Sequence, residues 1–201
     1  MKNFLKKRWP WLLALAALIA LLIFLSVQWD GQNAGMPTLT VETPQKLSKK
    51  ETTEFTLDVT ISDLGDALYP AMSMRIAFDA SRLEFLGVEE GNVFVYDTEN
   101  TTGQQLPEWS FDVAGSNANG RINIMYLDLT GGKHAFSKNL LAEEDNVVLR
   151  LRFRLKGSVR AGDVMDLIVE DAVFAASDET LSLAMTRDTL RVRNGKIVIG
   201  E

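Results

Sequence analysis

Beyond Thr38, apolar and polar side chains alternate one for one in runs short enough for single strands. "LTVET" opens the series. In "EFTLDVTIS", Phe55, Leu57, Val59 and Ile61 alternate with Thr56, Asp58, Thr60 and Ser62. A period of two turns one set toward a core and the other toward solvent, the mark of a half-buried strand. "AMSMRIAF" sets Met72, Met74, Ile76 and Phe78 against Ala71, Ser73, Arg75 and Ala77, and "EWSFDVA" repeats the pattern with Trp109, Phe111 and Val113. The sharpest run is "VVLRLRFRLK", where Val147, Leu149, Leu151, Phe153 and Leu155 oppose Arg150, Arg152, Arg154 and Lys156. "MDLIVEDAVF", "LRVR" and "KIVI" close the series. Turn pairs such as Asn119-Gly120, Gly131-Gly132 and Asn194-Gly195 lie between the runs. Only "KNLLAEED" reads as a helix, a brief one. Many short alternating strands without β-α-β spacing predict an all-β sandwich.

The first 29 residues follow another pattern. Lys2, Lys6, Lys7 and Arg8 precede a run from Trp9 to Trp29 that carries no charge. About 17 residues from Trp11 to Val27, at ~1.5 Å each, make roughly 26 Å of helix, close to the ~30 Å hydrocarbon core. "SVQWDGQNAG" after it offers no small-x-small cleavage site, so an uncleaved transmembrane anchor is expected rather than a signal peptide. The basic cluster places the N-terminus in the cytoplasm and the rest outside, in the periplasm or on the cell surface. Trp9, Trp11 and Trp29 fall where interfacial aromatics sit. The expected division is 1–29 as basic tip and anchor, 30–36 as a polar linker, and 37–201 as the sandwich domain.

Charge sharpens this division. Four of the 21 basic residues and none of the 27 acidic ones precede Asp30, so the formal −6 of the whole chain becomes −10 for the exported part. An acidic domain of this kind is not expected to bind nucleic acid. With no cysteine the fold has no disulfide, and its core alone must hold it.

Catalytic and metal signals are weak. His134 is the only histidine, and no Gly-x-Ser-x-Gly nucleophile motif occurs. Asp112 with Asp128, or Glu143, Glu144 and Asp145, read as solvated acids before they read as a catalytic pair. "DTEN" and "SDET" lack the Asp-x-Asp-x-Asp-Gly spacing of a calcium loop. Neither an enzyme nor a cofactor or metal is expected.

The stretch "IAFDASRLEFLGVEEGNVF" resembles the third and fourth strands of cohesin domains, the dockerin-binding modules of cellulosome scaffolds and other bacterial surface proteins. "GRINIMYLDLTGG" is similar to the sixth strand and its loop, "NVVLRLRFRLKGSVRAGDVMDLIVEDAVFAASD" to the seventh and eighth, and "RVRNGKIVI" to the closing strand. Together these cover roughly Thr38 to Ile199 in the family's order. The resemblance implies a nine-strand jelly-roll sandwich related in architecture to carbohydrate-binding modules, with a dockerin-like or envelope protein as partner. Any calcium would belong to that partner. It also implies a binding face built from strands eight, three, six and five. Ala71 and Ser73 match positions where well-studied enzyme-binding cohesins carry Asn and Asp. Leu127 matches an acid common in them, and the neighbouring acid survives as Asp128.

"INIMYLDL" is apolar on both faces, with Ile122, Ile124 and Tyr126 on one and Met125 and Leu127 on the other. Only one face of a strand in a two-layer sandwich can be core. Either "HAFSKNLLAEED" covers the other face or it is a docking surface, to which Ser73, Arg75, Ile122, Ile124, Tyr126 and Asp128 are assigned. The row Arg150, Arg152, Arg154 and Lys156 faces solvent on the opposite sheet, offset by Asp58 and Glu54, or else serves as a strip for anionic polymers or lipid headgroups. Two further functions compete with docking. One is polysaccharide binding, for which Trp109, Tyr126 and Tyr96 are the candidate aromatics. The other is a structural role in an envelope or secretion assembly.

Overall fold

The computed structural model describes residues 36–44, 46–50, 53–64, 67–91, 93, 108–129, 134–137, 146–177, 186 and 188–200, which belong to a compact unit beginning at Met36. The expected anchor, most of the linker, the "KNLLAEED" helix, the Gly131-Gly132 turn, "DTEN", most of "SDET" and Tyr96 lie outside the described residues. No helix among the described residues is long and apolar enough to cross a membrane.

Among the described residues eleven strands and one helix follow in order: β1 (Thr38–Val41), β2 (Leu47–Ser48), β3 (Glu54–Ser62), β4 (Ala71–Ala77), β5 (Leu83–Glu90), β6 (Glu108–Phe111), α1 (Val113–Asn119), β7 (Arg121–Leu127), β8 (Val147–Leu155), β9 (Val164–Ala175), β10 (Arg191–Arg193) and β11 (Gly195–Gly200). They form two sheets, β10-β1-β3-β8-β5 and β2-β11-β9-β4-β7-β6. The all-β sandwich is as expected, and the described residues form eleven strands where nine were expected. The two-residue edge strand β2 is too short to leave an alternation in the sequence, and "RVRNGKIVI", expected as one closing strand, divides at Asn194 into β10 and β11.

The core lies between the sheets. Met72, Met74 and Ile76 of β4 and Ile122, Ile124 and Tyr126 of β7 face Leu149, Leu151 and Phe153 of β8 across it. Phe153 is its hub, with Phe55, Phe78 and Phe85 at ring separations of 5.9, 5.5 and 5.7 Å. In β9 the period of two breaks. Arg75 pairs with Asp171 but Ile76 with Val169, so Glu170 is an extra residue in a β-bulge. The bulge shifts the parity, so that Met165 and Leu167 before it and Ala172 and Phe174 after it all face the core.

The corner between β4 and β5 is an Asx-turn, as its Asp79-Ala80-Ser81 sequence suggests. The Asp79 carboxylate accepts the Ser81 N–H at 2.9 Å, and its carbonyl accepts the Leu83 N–H at 2.8 Å. Phe78 and Leu83 on either side are buried.

After β6 the sequence pattern misleads. Val113 continues the alternation of Trp109 and Phe111, yet the strand ends at Phe111 and a helix follows. The Asp112 side chain accepts the Gly115 N–H at 3.0 Å as N-cap, and Gly120, at φ 65°, closes the helix by donating its N–H to Ser116.

Candidate functional site

The outer face of β9, β4, β7 and β6 is a lattice whose rungs are fixed by strand register. One rung runs Ala175, Ala71, Leu127, the next Val173, Ser73, Met125, Ser110, the next Asp171, Arg75, Asn123, and the last Ile168, Ala77, Arg121. The strand neighbours β9-β4-β7-β6 are those that the resemblance implied for the binding sheet.

Ser73 and Arg75 are exposed on this face, where the sequence placed them. Ile122, Ile124 and Tyr126 are not. Their exposures are 0%, 0% and 2%, whereas Met125 is 62% exposed and Leu127 48%. The reason is pairing with β4. Ile122, Ile124 and Tyr126 stand opposite Ile76, Met74 and Met72, whose side chains already fill the core. The signal was present in the chain, because Arg121 and Asn123 share the odd parity of Met125 and Leu127 and cannot enter an apolar core.

Asp128 also leaves the docking set. It is 7% exposed, its N–H donates to the Pro70 carbonyl at 2.7 Å, and its carboxylate accepts the His134 N–H at 3.3 Å. The Tyr126 hydroxyl donates to the His134 carbonyl at 2.7 Å. Together Asp128 and Tyr126 hold the 134–137 segment against the end of β7, and Tyr69 and Phe136 exchange backbone hydrogen bonds beside it. Neither presents itself to a partner.

A cleft of about 630 Å³ opens where this face meets α1, with Arg75, Ser110, Asn119, Arg121, Asn123 and Met125 among its lining. Arg75 Nε donates to Asn123 Oδ1 at 3.0 Å, and Arg121 pairs with Glu170 at 3.0 Å. Phe111 shows only part of its ring there, the remainder lying edge-on to Phe85. The site has hydrogen-bonding groups and apolar surface but no nucleophile paired with a base. Among the described residues no group of three or more His, Asp and Glu side chains is placed to hold a metal.

The aromatic candidates for polysaccharide binding do not line up on a surface. Tyr126 is buried, and Trp109 is half-buried against it with ring centroids 4.8 Å apart.

On the opposite sheet the basic row is neutralised. Arg150 pairs with Asp58 at 3.1 Å, Arg152 with Glu89 at 3.2 Å and Glu54 at 3.5 Å, and Arg154 with Glu54 at 2.6 Å and Glu84 at 3.0 Å. The hydrogen bond from Arg154 holds the Glu54 carboxyl below its ordinary range. Lys156 donates to the Ala80 carbonyl at 2.6 Å, pinning the β4–β5 corner. β8 thus lies between two acid-bearing strands, and the row is an ion-pair ladder instead of a free cationic strip.

Comparison with known proteins agrees with this architecture. The third ScaC cohesin of Acetivibrio cellulolyticus, solved in complex with the ScaB dockerin, is similar at a TM-score of 0.58 and 14% identity over 83% of this chain and 100% of that one. The cohesin CaCohA2 of Clostridium acetobutylicum is similar at 0.55 and 22% identity, over 82% and 91% of the two chains. So is the cohesin module of a family 33 glycoside hydrolase from Clostridium perfringens, at 0.55 and 12% identity over 83% and 98%. No curated protein matches the sequence. The cohesin domain family model matches residues 38–192, more than three-quarters of the chain, and the chain belongs to the cohesin domain family.

Proposed function

We propose that this chain is a non-catalytic binding module, anchored by its N-terminal segment and facing outward from a bacterial membrane, that captures a dockerin-type protein on the outer face of β9, β4, β7 and β6. The observation that carries this reading is the apolar surface on both sides of β7. The inner side fills the core, while Met125 and Leu127 stand in solvent among small neighbours, Ala71, Ser73 and Ser110. A flat, partly apolar sheet face of this kind suits burial against another protein. The solved ScaC and OlpA cohesins, both complexed with dockerins, lend the reading its partner class. A link to polysaccharide degradation follows if the partner carries a glycoside hydrolase.

Titration of the purified full chain against a panel of calcium-loaded dockerins tests the face. Binding that Met125→Arg abolishes without lowering the melting temperature supports it, and binding indifferent to that change overturns it. The anchor is tested separately. The full-length protein is expected to stay with membranes through alkaline carbonate extraction, and recovery of a soluble form beginning near Ala34 or Gly35 would overturn that part alone.

A further inference from the structure

Five arginines point outward from β4, β7 and β8, and four of them are paired with carboxylates. Arg121 meets Glu170, Arg150 meets Asp58, Arg152 meets Glu89 and Glu54, and Arg154 meets Glu54 and Glu84. Arg75 is different. Its Nε is held by the neutral amide of Asn123, and among the described residues no carboxylate lies within ion-pair distance of it. Asp171, its register partner on β9, makes no ion pair with it. Through Asn123 the guanidinium is steered toward β7 and the cleft beside α1, leaving its terminal nitrogens able to grip a carboxylate as a fork. Of the other charged groups at this end of the face, Arg121 is committed to Glu170 and Asp112 to capping Gly115, while Asp171 stands exposed on the Arg75 rung without an ion pair to it.

The opposite end of the same face is apolar. Met125 and Leu127 project between Ala71, Ser73 and Ser110, with Val173 and Ala175 completing the rungs on β9. From the Leu127 rung to the Arg75 rung is four residues along β7, roughly 13 Å at about 3.3 Å per residue. That span equals about nine residues of helix or four of extended chain.

Resting on the reading that this face binds protein, we propose that its partner is an amphipathic segment that covers Met125 and Leu127 with apolar side chains and places one carboxylate, about 13 Å along, on the Arg75 guanidinium. A bare sugar lacks the apolar surface to cover Met125 and Leu127, and the described face offers no row of exposed aromatic rings for stacking. A lipid headgroup supplies an anion but no apolar group at that spacing. The recognition is therefore acidic on the partner's side at one end and greasy at the other.

The test is selection of a random displayed peptide library on the immobilised full chain. Wild type is expected to enrich peptides carrying Asp or Glu spaced from a Leu, Ile or Phe cluster. Arg75→Gln is expected to bind them about ten-fold or more weakly, as loss of a charged hydrogen-bonded pair implies. Arg75→Lys should fall between, and selection on Arg75→Glu should exchange the acid for Lys or Arg. Arg75 is exposed, so circular dichroism of each variant is expected to match wild type. Peptides that Met125→Arg releases but that ignore Arg75 would overturn the acidic partner while leaving the binding face standing. Peptides that ignore both would overturn the two readings together. Arg75-dependent retention on immobilised polyuronate, or self-association through this face, with no such peptide enriched, would assign the cation to a polymer or to a second copy and overturn the proposal.

Discussion

The carboxamide of Asn117 closes a ring with the backbone of Phe85. Its Oδ1 accepts the Phe85 N–H and its Nδ2 donates to the Phe85 carbonyl, each at 2.8 Å, while the same Nδ2 reaches the Val113 carbonyl at 2.9 Å. Phe85 lies on β5, the last strand of its sheet, so one side of its backbone has no neighbouring strand. Asn117 supplies the missing donor and acceptor from α1, and a helix of seven residues thereby blunts an exposed edge.

Asn117→Ala should therefore destabilise the domain by about 2–3 kcal/mol, because the Phe85 groups lose partners in a half-buried place. Asn117→Asp keeps the acceptor but not the donor, and is expected to cost a comparable amount. Urea unfolding followed by tryptophan fluorescence measures both. A loss below about 0.5 kcal/mol would show that water replaces the amide freely.

Phe78 gives a second test of packing. Its ring meets Phe153 edge-on at 5.5 Å, and its N–H is held by the carbonyl of Gly120, so the corner and the helix end share one anchor. Phe78→Ala is expected to cost roughly 3–5 kcal/mol, the range of large-to-small core changes. A loss under about 1 kcal/mol would mean that the cavity collapses onto Phe153 or Phe85.

Where the alternation is clean, it alone shows which side is buried: Leu57, Val59 and Ile61 of β3, Met72, Met74 and Ile76 of β4 and Leu149, Leu151 and Phe153 of β8 all lie in the core. It fails where one residue changes the parity. Glu170 in the β9 bulge is such a residue, and no composition marks it. It fails again where a side chain outbids the pattern, as Asp112 does by capping a helix that an apolar Val113 presents as more strand. The candidate face was legible as a pair of strands but not as a side. Apolar residues on both sides of β7 masked the choice, although Arg121 and Asn123 mark the solvent side, and pairing with β4 puts Ile122, Ile124 and Tyr126 in the core. Asp128 looked like a surface acid because its partner, the His134 backbone, is set by the fold.

Adjacent positions on β7 test that assignment. Ile124→Asp puts a carboxylate among Met74, Phe111 and other apolar neighbours with no cation in register, and should leave the domain unfolded at room temperature. Met125→Asp enters water and should shift the melting temperature by no more than a few degrees, about 0.5 kcal/mol. Thermal melts of the two variants side by side read the strand's orientation directly. A folded Ile124→Asp protein would reverse it.

Acid should weaken the domain through Asp79 and Glu54 in distinguishable ways. The Asp79 carboxyl is held below its ordinary 3.8 first by the Ser81 hydroxyl hydrogen bond and then by Arg82, and Glu54 below its ordinary 4.5 first by Arg154. A carboxylate whose folded pKa lies below its unfolded value stabilises the fold above the unfolded value, and that contribution vanishes as pH falls through the folded one. Asp79→Asn and Glu54→Gln should each melt below wild type near about pH 7, and each gap should narrow as the pH drops below about 4. Salt separates the two causes. Glu54 acts through exposed ion pairs that about 1 M salt screens, so its gap should shrink in brine at neutral pH. Asp79 acts chiefly through short local hydrogen bonds within the turn, so its gap should persist. An Asp79→Asn gap that disappeared in salt would show that the corner is held by Arg82 and not by the Asx-turn.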